Sequence, residues 1–422
     1  MSKTVVTMFA AAVVAVATSS ASAEPKVNFI HQWNSGNVAE AIGVFGAMLE
    51  ERGVTWENQP VPGWTTETYA KVRADILAGQ APAISQLKGK EIAAWSTIGP
   101  TLDLSEILET AGFDKVVPPV LVPLHKPADH WLAIPMQIYR INNLLASKKA
   151  LDRAGIDRLP TTWAEFNEAA EKLLAVGIRP LGNGGLPYEE TMILEVVLLG
   201  KSVDVYQRAF MDLDESAYTE PVFLESLEQL RKMLAWRADG VQGQYWATFV
   251  GPMMQGEYGF MINGGWVEGS FVLNGSKYGE DYLCGIAPID DGGPARFDIN
   301  VDGAVFWKQN DPDYEAGQKI AAEVMISPEF QLAFSKANRS IPSRIDIDVT
   351  QEDYTPCQRE TWESLNASVE ADTVVLSLAQ NMAQRQQVSQ PIIEAVTEFV
   401  NNPDISVEEA AQSIRDAVAA NK

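Results

Sequence analysis

The sequence predicts an α/β protein of two lobes, on three observations. Strand-like and helical segments alternate along the chain, the order that builds sheets covered by helices. At 422 residues the chain exceeds what one ordinary hydrophobic core organises. No low-complexity linker, heptad run or repeat of about 20 to 50 residues separates the segments, so ordered crossings between two lobes fit better than independent beads.

The elements read in order. Val27-Asn28-Phe29-Ile30 is a short strand that ends in a polar and aromatic loop, His31-Gln32-Trp33-Asn34-Ser35-Gly36. Ala41, Val44, Phe45, Met48 and Leu49 then recur at spacings of three and four, which predicts a helix. Strand, polar loop and helix open an α/β unit, and ligands collect in such loops at strand carboxyl ends. The order repeats, with Lys71 to Leu77 as helix, Ala83 to Leu87 as strand and Glu91 to Trp95 as the next helix start. Further on, Thr162-Trp163-Ala164-Glu165 and Ser406-Val407-Glu408-Glu409 match the capping box, in which a hydroxyl and a carboxylate satisfy free backbone N–H groups. Ser327-Pro328 places a cap residue before a proline at the first helical position. Tyr258 to Ile262 and Ala304 to Trp307 read as strands.

The first 23 residues read as an export signal: Lys3 is the positive start, Val5 to Val16 the apolar stretch, and Ala21-Ser22-Ala23 the small-residue cleavage site. Cleavage after Ala23 would begin the mature chain at Glu24 and place it in the periplasm. That compartment is oxidising, so Cys284 and Cys357 are permitted to bridge. Two unpaired buried thiols are the alternative. With these cysteines and three histidines, His31, His125 and His130, a metal site has too few ligands at suitable spacing.

Thirty-two basic against 56 acidic residues give a formal charge of −24. Such a charge repels phosphate backbones and anionic lipid surfaces, which excludes nucleic acid as a partner. Walker-type Gly-x-x-x-x-Gly-Lys-Ser/Thr and zinc-hydrolase His-Glu-x-x-His patterns are lacking. A glycoside hydrolase is the remaining enzymatic rival, yet no acid and nucleophile pair carries a spacing argument.

Ile134-Pro135-Met136-Gln137-Ile138-Tyr139-Arg140-Ile141-Asn142-Asn143 stands out, continued by Lys149 to Ile156 and by Leu159 to Phe166. So do Gly256 to Trp266, Ser327 to Gln331 and Asn338 to Arg344. Together and in this order they resemble the extracellular solute-binding proteins of carbohydrate ABC importers, over about residue 27 to the C-terminus. The resemblance implies a type II periplasmic-binding-protein fold, similar to maltose-binding protein, with the ligand cleft between lobes. It places one lobe at residues 24–137 and 303–339 and the other at 138–302 and 340–422. It implies a sugar ligand, the transmembrane permease of an importer as partner, a monomer, no cofactor and no catalysis.

Within the family the chain looks most like the branch that binds glucose and related monosaccharides. Gln86-Leu87-Lys88-Gly89, Asn183 to Pro187, Asp281 to Cys284 and Asn300-Val301-Asp302 carry that likeness. Departures fall at Gln32 in place of an aromatic ring, Val38 in place of an acid, Trp64 within a glycine run, Arg339 in place of lysine and Gln380 in place of histidine.

A sugar presents hydroxyls around its edge and C–H patches on its faces, so its receptor needs bidentate hydrogen-bonding groups and aromatic rings. Trp33, Trp64 and Trp266 are the candidate platforms, each in a Gly- or Ser-containing segment; core packing is the alternative for each. Gln86, Lys88, Asp302, Arg339 and Gln380 are the candidate edge readers, with Asn34, Ser35, His31, Gln32, Arg140 and Asn300 behind them. Arg339 would suit an acidic or phosphorylated sugar, or would pair with a carboxylate across the lobe boundary. Other carbohydrate-like ligands, such as an oligosaccharide, polyol or osmolyte glycoside, compete with a monosaccharide because the departures fall at specificity positions.

Overall fold

A computed structural model describes residues 24–34, 36–63, 65–351 and 353–422. The expected signal in residues 1–23, and the candidate residues Ser35 and Trp64, lie outside the described residues.

Among the described residues ten strands form two sheets. In chain order they are β1 (Lys26–His31), β2 (Thr55–Pro60), β3 (Ile84–Leu87), β4 (Ala133–Arg140), β5 (Asn143–Ser147), β6 (Arg179–Leu181), β7 (Tyr258–Asn263), β8 (Tyr282–Ile286), β9 (Phe297–Phe306) and β10 (Val374–Leu376). The larger sheet has the order β10-β9-β3-β1-β2, with β4 also paired to β9; the smaller is β6-β7-β5-β8. β1 runs parallel to both β2 and β3, as strand–helix–strand crossovers require.

The two largest hydrophobic cores among the described residues follow the sheets. One gathers Phe29, Phe45, Ile84, Ile134, Phe306 and Phe330. The other gathers Leu144, Phe166, Leu198, Phe260, Ile392 and Ile414. The chain passes between them at three places that touch. β4 breaks register between Pro135 and Ile138, and Ile138 then pairs with Val301 of β9. Ile138 and Ile341 exchange backbone hydrogen bonds at 2.9 and 3.0 Å.

Most sequence expectations recur with shifted ends. The helix Gly36–Glu51 buries Ala41, Phe45 and Leu49 as the spacing requires. The helix Thr65–Leu77 begins a turn and a half before Lys71, because Thr68 and Tyr69 extend its buried stripe backward. β9 begins at Phe297 rather than near Ala304, since both faces of the strand are buried and alternation is absent. β2 escaped the sequence reading altogether. It is an edge strand, exposed at most positions, and its residues Thr-Trp-Glu-Asn-Gln-Pro carry no apolar alternation.

Caps behave unevenly. Ser406 and Glu409 form the full reciprocal box. At Thr162 only half of it forms: the Thr162 hydroxyl accepts the Glu165 N–H at 3.2 Å, but the Glu165 carboxylate turns to Arg158 and to the Thr161 N–H and hydroxyl. A guanidinium is the stronger partner for a carboxylate than one more backbone amide. Cys284 in β8 is disulfide-bonded to Cys357 in the helix Pro356–Glu370, with Cα atoms 5.9 Å apart.

Candidate ligand-binding site

The loops at the carboxyl ends of β1, β3 and β7 and the middle of β9 converge where the two cores meet. Asp302, in β9, is the hub. Its Oδ1 accepts from Gln86 Nε2 at 2.6 Å and pairs with Lys88 Nζ at 3.3 Å, and its Oδ2 accepts from Gln137 Nε2. Lys88 and Asp302 are each 4% exposed at the side chain. A charge so deeply buried is tolerable only when paired and hydrogen-bonded, and here one carboxylate meets three donors. Gln86 also accepts the Gln32 N–H at 2.9 Å, and Gln32 accepts the Thr65 hydroxyl at 3.0 Å, which ties the β1 loop to β3. The Lys88 N–H donates to the buried Tyr69 hydroxyl at 3.0 Å.

His31, the last residue of β1, is buried. Its ring bonds Asn58 Oδ1 at 2.6 Å and accepts the Trp33 N–H at 3.1 Å. Burial pushes its pKa down to about 4 against the Asn58 bond, so the imidazole is neutral at pH 7.

A second group forms around β4 and β7. Trp266 opens the helix Trp266–Leu273, is half-buried, and meets the Tyr139 ring edge to face at 5.3 Å. The Tyr139 hydroxyl donates to the Asn338 carbonyl at 2.8 Å, which Asn37 Nδ2 also contacts at 2.9 Å. The next residue, Arg339, ends the helix Pro328–Asn338 in the left-handed conformation at φ 56°. No carboxylate pairs with Arg339 among the described residues, although its charge bears on buried Glu268. Burial, with the neighbouring charge of Asp302, holds the Tyr139 phenol protonated.

Gln380 is half-buried, and its N–H donates to Ser377 Oγ at 3.1 Å. It lies in the loop after β10, and the backbone of Asn381 and Met382 in that loop packs directly on Gly89. Lys90 Nζ donates to Gln384 at 3.1 Å, and Glu91 accepts the Gln386 N–H at 2.7 Å, so the two segments touch along this edge.

The remaining candidates fall elsewhere. Trp33 is 4% exposed and packs against Phe29, His31 and Phe334, inside the first core and without an open ring face. Asn34 is exposed and donates to the Val61 carbonyl at 3.2 Å. Arg140 is fully engaged: Nε donates to Asn143 at 2.8 Å and both terminal nitrogens to Glu360 at 2.9 and 2.5 Å. Asn300 is buried beside Tyr139 in the strand register, and its Oδ1 has no protein partner. Gln137 is the residue the sequence reading passed over. Its place in the segment Ile134 to Asn143 was the available signal, and its Oε1 is buried without a protein partner.

Among the described residues no three His, Cys, Asp or Glu side chains gather as a metal site, and no helix is long and apolar enough to cross a membrane.

Two α/β lobes meeting at a polar seam built around one buried ion pair define a two-lobed solute-binding protein. The chain belongs to the family of bacterial extracellular solute-binding proteins, which it matches over residues 47–384. It is 31% identical over 423 residues to a "probable sugar-binding periplasmic protein" of Rhizobium meliloti (strain 1021), covering 100% of each chain. A protein of the same description from Brucella suis biovar 1 (strain 1330) is 30% identical over 397 residues, covering 94% of this chain and 92% of that one. Among solved structures, a chitin oligosaccharide binding protein superposes with a TM-score of 0.78 at 17% identity, covering 94% of this chain and 98% of the other. A bacterial solute receptor with an exclusive preference for β-D-galactopyranose superposes with a TM-score of 0.74 at 15% identity, covering 94% and 99%. These likenesses confirm the maltose-binding-protein-like fold expected from the sequence.

Proposed function

We propose that this protein captures a small sugar in the periplasm, after removal of residues 1–23, and delivers it as a monomer to the permease of an ABC importer, with no chemistry of its own. The Asp302 hub carries this reading. Gln86, Lys88 and Gln137 are each fixed by one bond to Asp302 and retain further hydrogen-bonding capacity, the arrangement that reads ring hydroxyls. The description of the Rhizobium and Brucella relatives as sugar-binding supports it.

In this reading the lobes comprise residues 24–137 with 303–339, and 138–302 with 340–422. The touching segments at Ile138, Val301 and Ile341 are the hinge. Ligand bridges the hub and the Trp266 group, and its differential affinity for the closed arrangement drives closure. A glucose-like monosaccharide or an acidic derivative fits the hub and Arg339. A longer carbohydrate is the second reading, favoured by a groove of about 710 Å³ between the lobes, lined in part by Tyr69, Arg73, Trp95, Arg385 and Gln390.

Thermal-shift measurement of the protein from Glu24 onward tests both, because a ligand that binds only the folded state raises its melting temperature. The panel is D-glucose, D-galactose, D-glucuronate, maltose, chitobiose and sorbitol. Shifts confined to the monosaccharides support the first reading and shifts confined to the disaccharides the second. A shift from sorbitol alone, or from none of them, overturns both.

A further inference from the structure

The segment between β10 and the helix Gln386–Asn401 carries Gln380 to the seam without forming a helix or strand of its own. Its anchor is a buried carboxylate of the same lobe. Glu195, in the helix Pro187–Lys201, accepts the Ser377 hydroxyl on Oε1 at 2.7 Å. Its Oε2 accepts the Leu378 and Ala379 N–H groups at 2.8 and 3.1 Å. Ser377 Oγ in turn accepts the Gln380 N–H at 3.1 Å, so one carboxylate organises four consecutive residues.

Glu195 has a second carboxyl against it. Asp298 of β9 shares the Tyr206 hydroxyl with Glu195, and both carboxyls are wholly buried. The Tyr206 hydroxyl completes the cluster, 3.1 Å from the Leu376 carbonyl, 3.4 Å from Glu195 and 3.5 Å from Asp298. Two carboxyls this close in a dry site share a proton, because two like charges there repel. Glu195 already meets three donors while Asp298 Oδ2 has no protein partner, so Asp298 is the member that carries the proton. Tyr206 is the other titratable group facing the pair, and burial keeps its phenol protonated. Arg296, two residues from Asp298, turns to the Leu199 carbonyl and Asp291 instead.

We infer that Glu195 is a positioning residue for Gln380: through Ser377, Leu378 and Ala379 it fixes the loop that packs on Gly89, and the proton shared with Asp298 sets how firmly it does so. The inference rests on the reading of Gln380 as a ligand contact. Burial holds the shared proton above the ordinary carboxylate range. The anchor therefore weakens as rising pH removes that proton, when two buried charges oppose each other.

Hydrogen–deuterium exchange of residues 377–380, expressed as protection over the unfolded rate between about pH 5 and pH 9, reads the anchor without any ligand. Wild-type protein loses protection there by about tenfold or more as pH rises. Asp298→Asn, which carries no charge at any pH, keeps protection flat as pH rises. Glu195→Gln lowers it at every pH. Unchanged protection in Glu195→Gln, or a step that persists in Asp298→Asn, overturns the inference; the second outcome decides alone if Glu195→Gln does not fold. Calorimetric titration of Gln380→Ala with whichever of D-glucose, D-galactose and D-glucuronate shifts the wild-type melting separates the two levels. Unchanged affinity in that variant, with protection lost in Glu195→Gln, overturns the ligand role of Gln380 and leaves the anchor standing.

Discussion

Gly89 lies against the backbone of Met382, so closely that a Cβ at Gly89 would stand 2.5 Å from the Met382 carbonyl oxygen. Gly89 also has φ +49°, a conformation that L side chains rarely adopt. The glycine thus serves the lobe contact twice, by its shape and by its missing side chain. Gly89→Ala is expected to push the lobes apart here, raising the radius of gyration by small-angle scattering and weakening sugar binding by about tenfold or more. An unchanged scattering profile with unchanged affinity would show that the contact plays no part in closure.

Stacking and edge-reading residues are expected to fail differently. Trp266→Ala should weaken all accepted sugars by similar factors, because every pyranose presents C–H patches to a ring. Gln380→His and Arg339→Lys should instead reorder the sugars toward glucose, since a buried hydrogen-bonding group left unpaired costs about 1 to 3 kcal/mol against the wrong partner. Isothermal titration of each variant across the panel separates the two patterns. Uniform losses for the edge variants would remove Gln380 and Arg339 from the reading.

Cys284 and Cys357 close a loop of 73 residues and clamp the helix Pro356–Glu370 to β8. In the chain-entropy view such a loop contributes about 4 kcal/mol. Reduction, or the double change Cys284→Ala with Cys357→Ala, should lower the urea midpoint by a corresponding amount. Thiol labelling of denatured, unreduced protein should find no free sulfhydryl; two would contradict the bridge.

Acid should destabilise the fold through its buried histidines. His31 and His125 are each pushed by burial from 6.5 to about 4, so the unfolded chain binds the extra protons first and stability is lost as pH falls from 6.5 toward 4. The loss approaches about 3 kcal/mol per histidine at full extent. Glu189 acts in the opposite sense. Burial raises it to about 8 against the N–H donors of Trp246 and Gly184, so its contribution is whole below 4.5 and is lost as pH rises through 8. Urea unfolding across pH for wild type, His31→Gln and Glu189→Gln should show the acid limb flatten in the first variant and the alkaline limb in the second.

Local chemistry determined much of this protein from its sequence. Helices with a clear apolar stripe, such as Gly36–Glu51, and caps of Ser, Thr and Pro depend on neighbours a few residues away, so spacing alone reports them. Gln86, Lys88 and Asp302 were nameable from their motif segments, and the chain folds them into one network. Tertiary structure decided what depends on partners far along the chain. Edge strand β2 has no pattern of its own and exists because β1 pairs with it. Trp33 and Trp266 look alike in sequence, and the packing of Phe29 and Phe334 alone buries the first while Tyr139 leaves the second half open. Arg140 looked as free as Arg339 until Glu360, 220 residues away, took its guanidinium. The pairing of Glu195 with Asp298 belongs to the same kind, because the cost of burying a charge is set by the three-dimensional surroundings that only folding supplies.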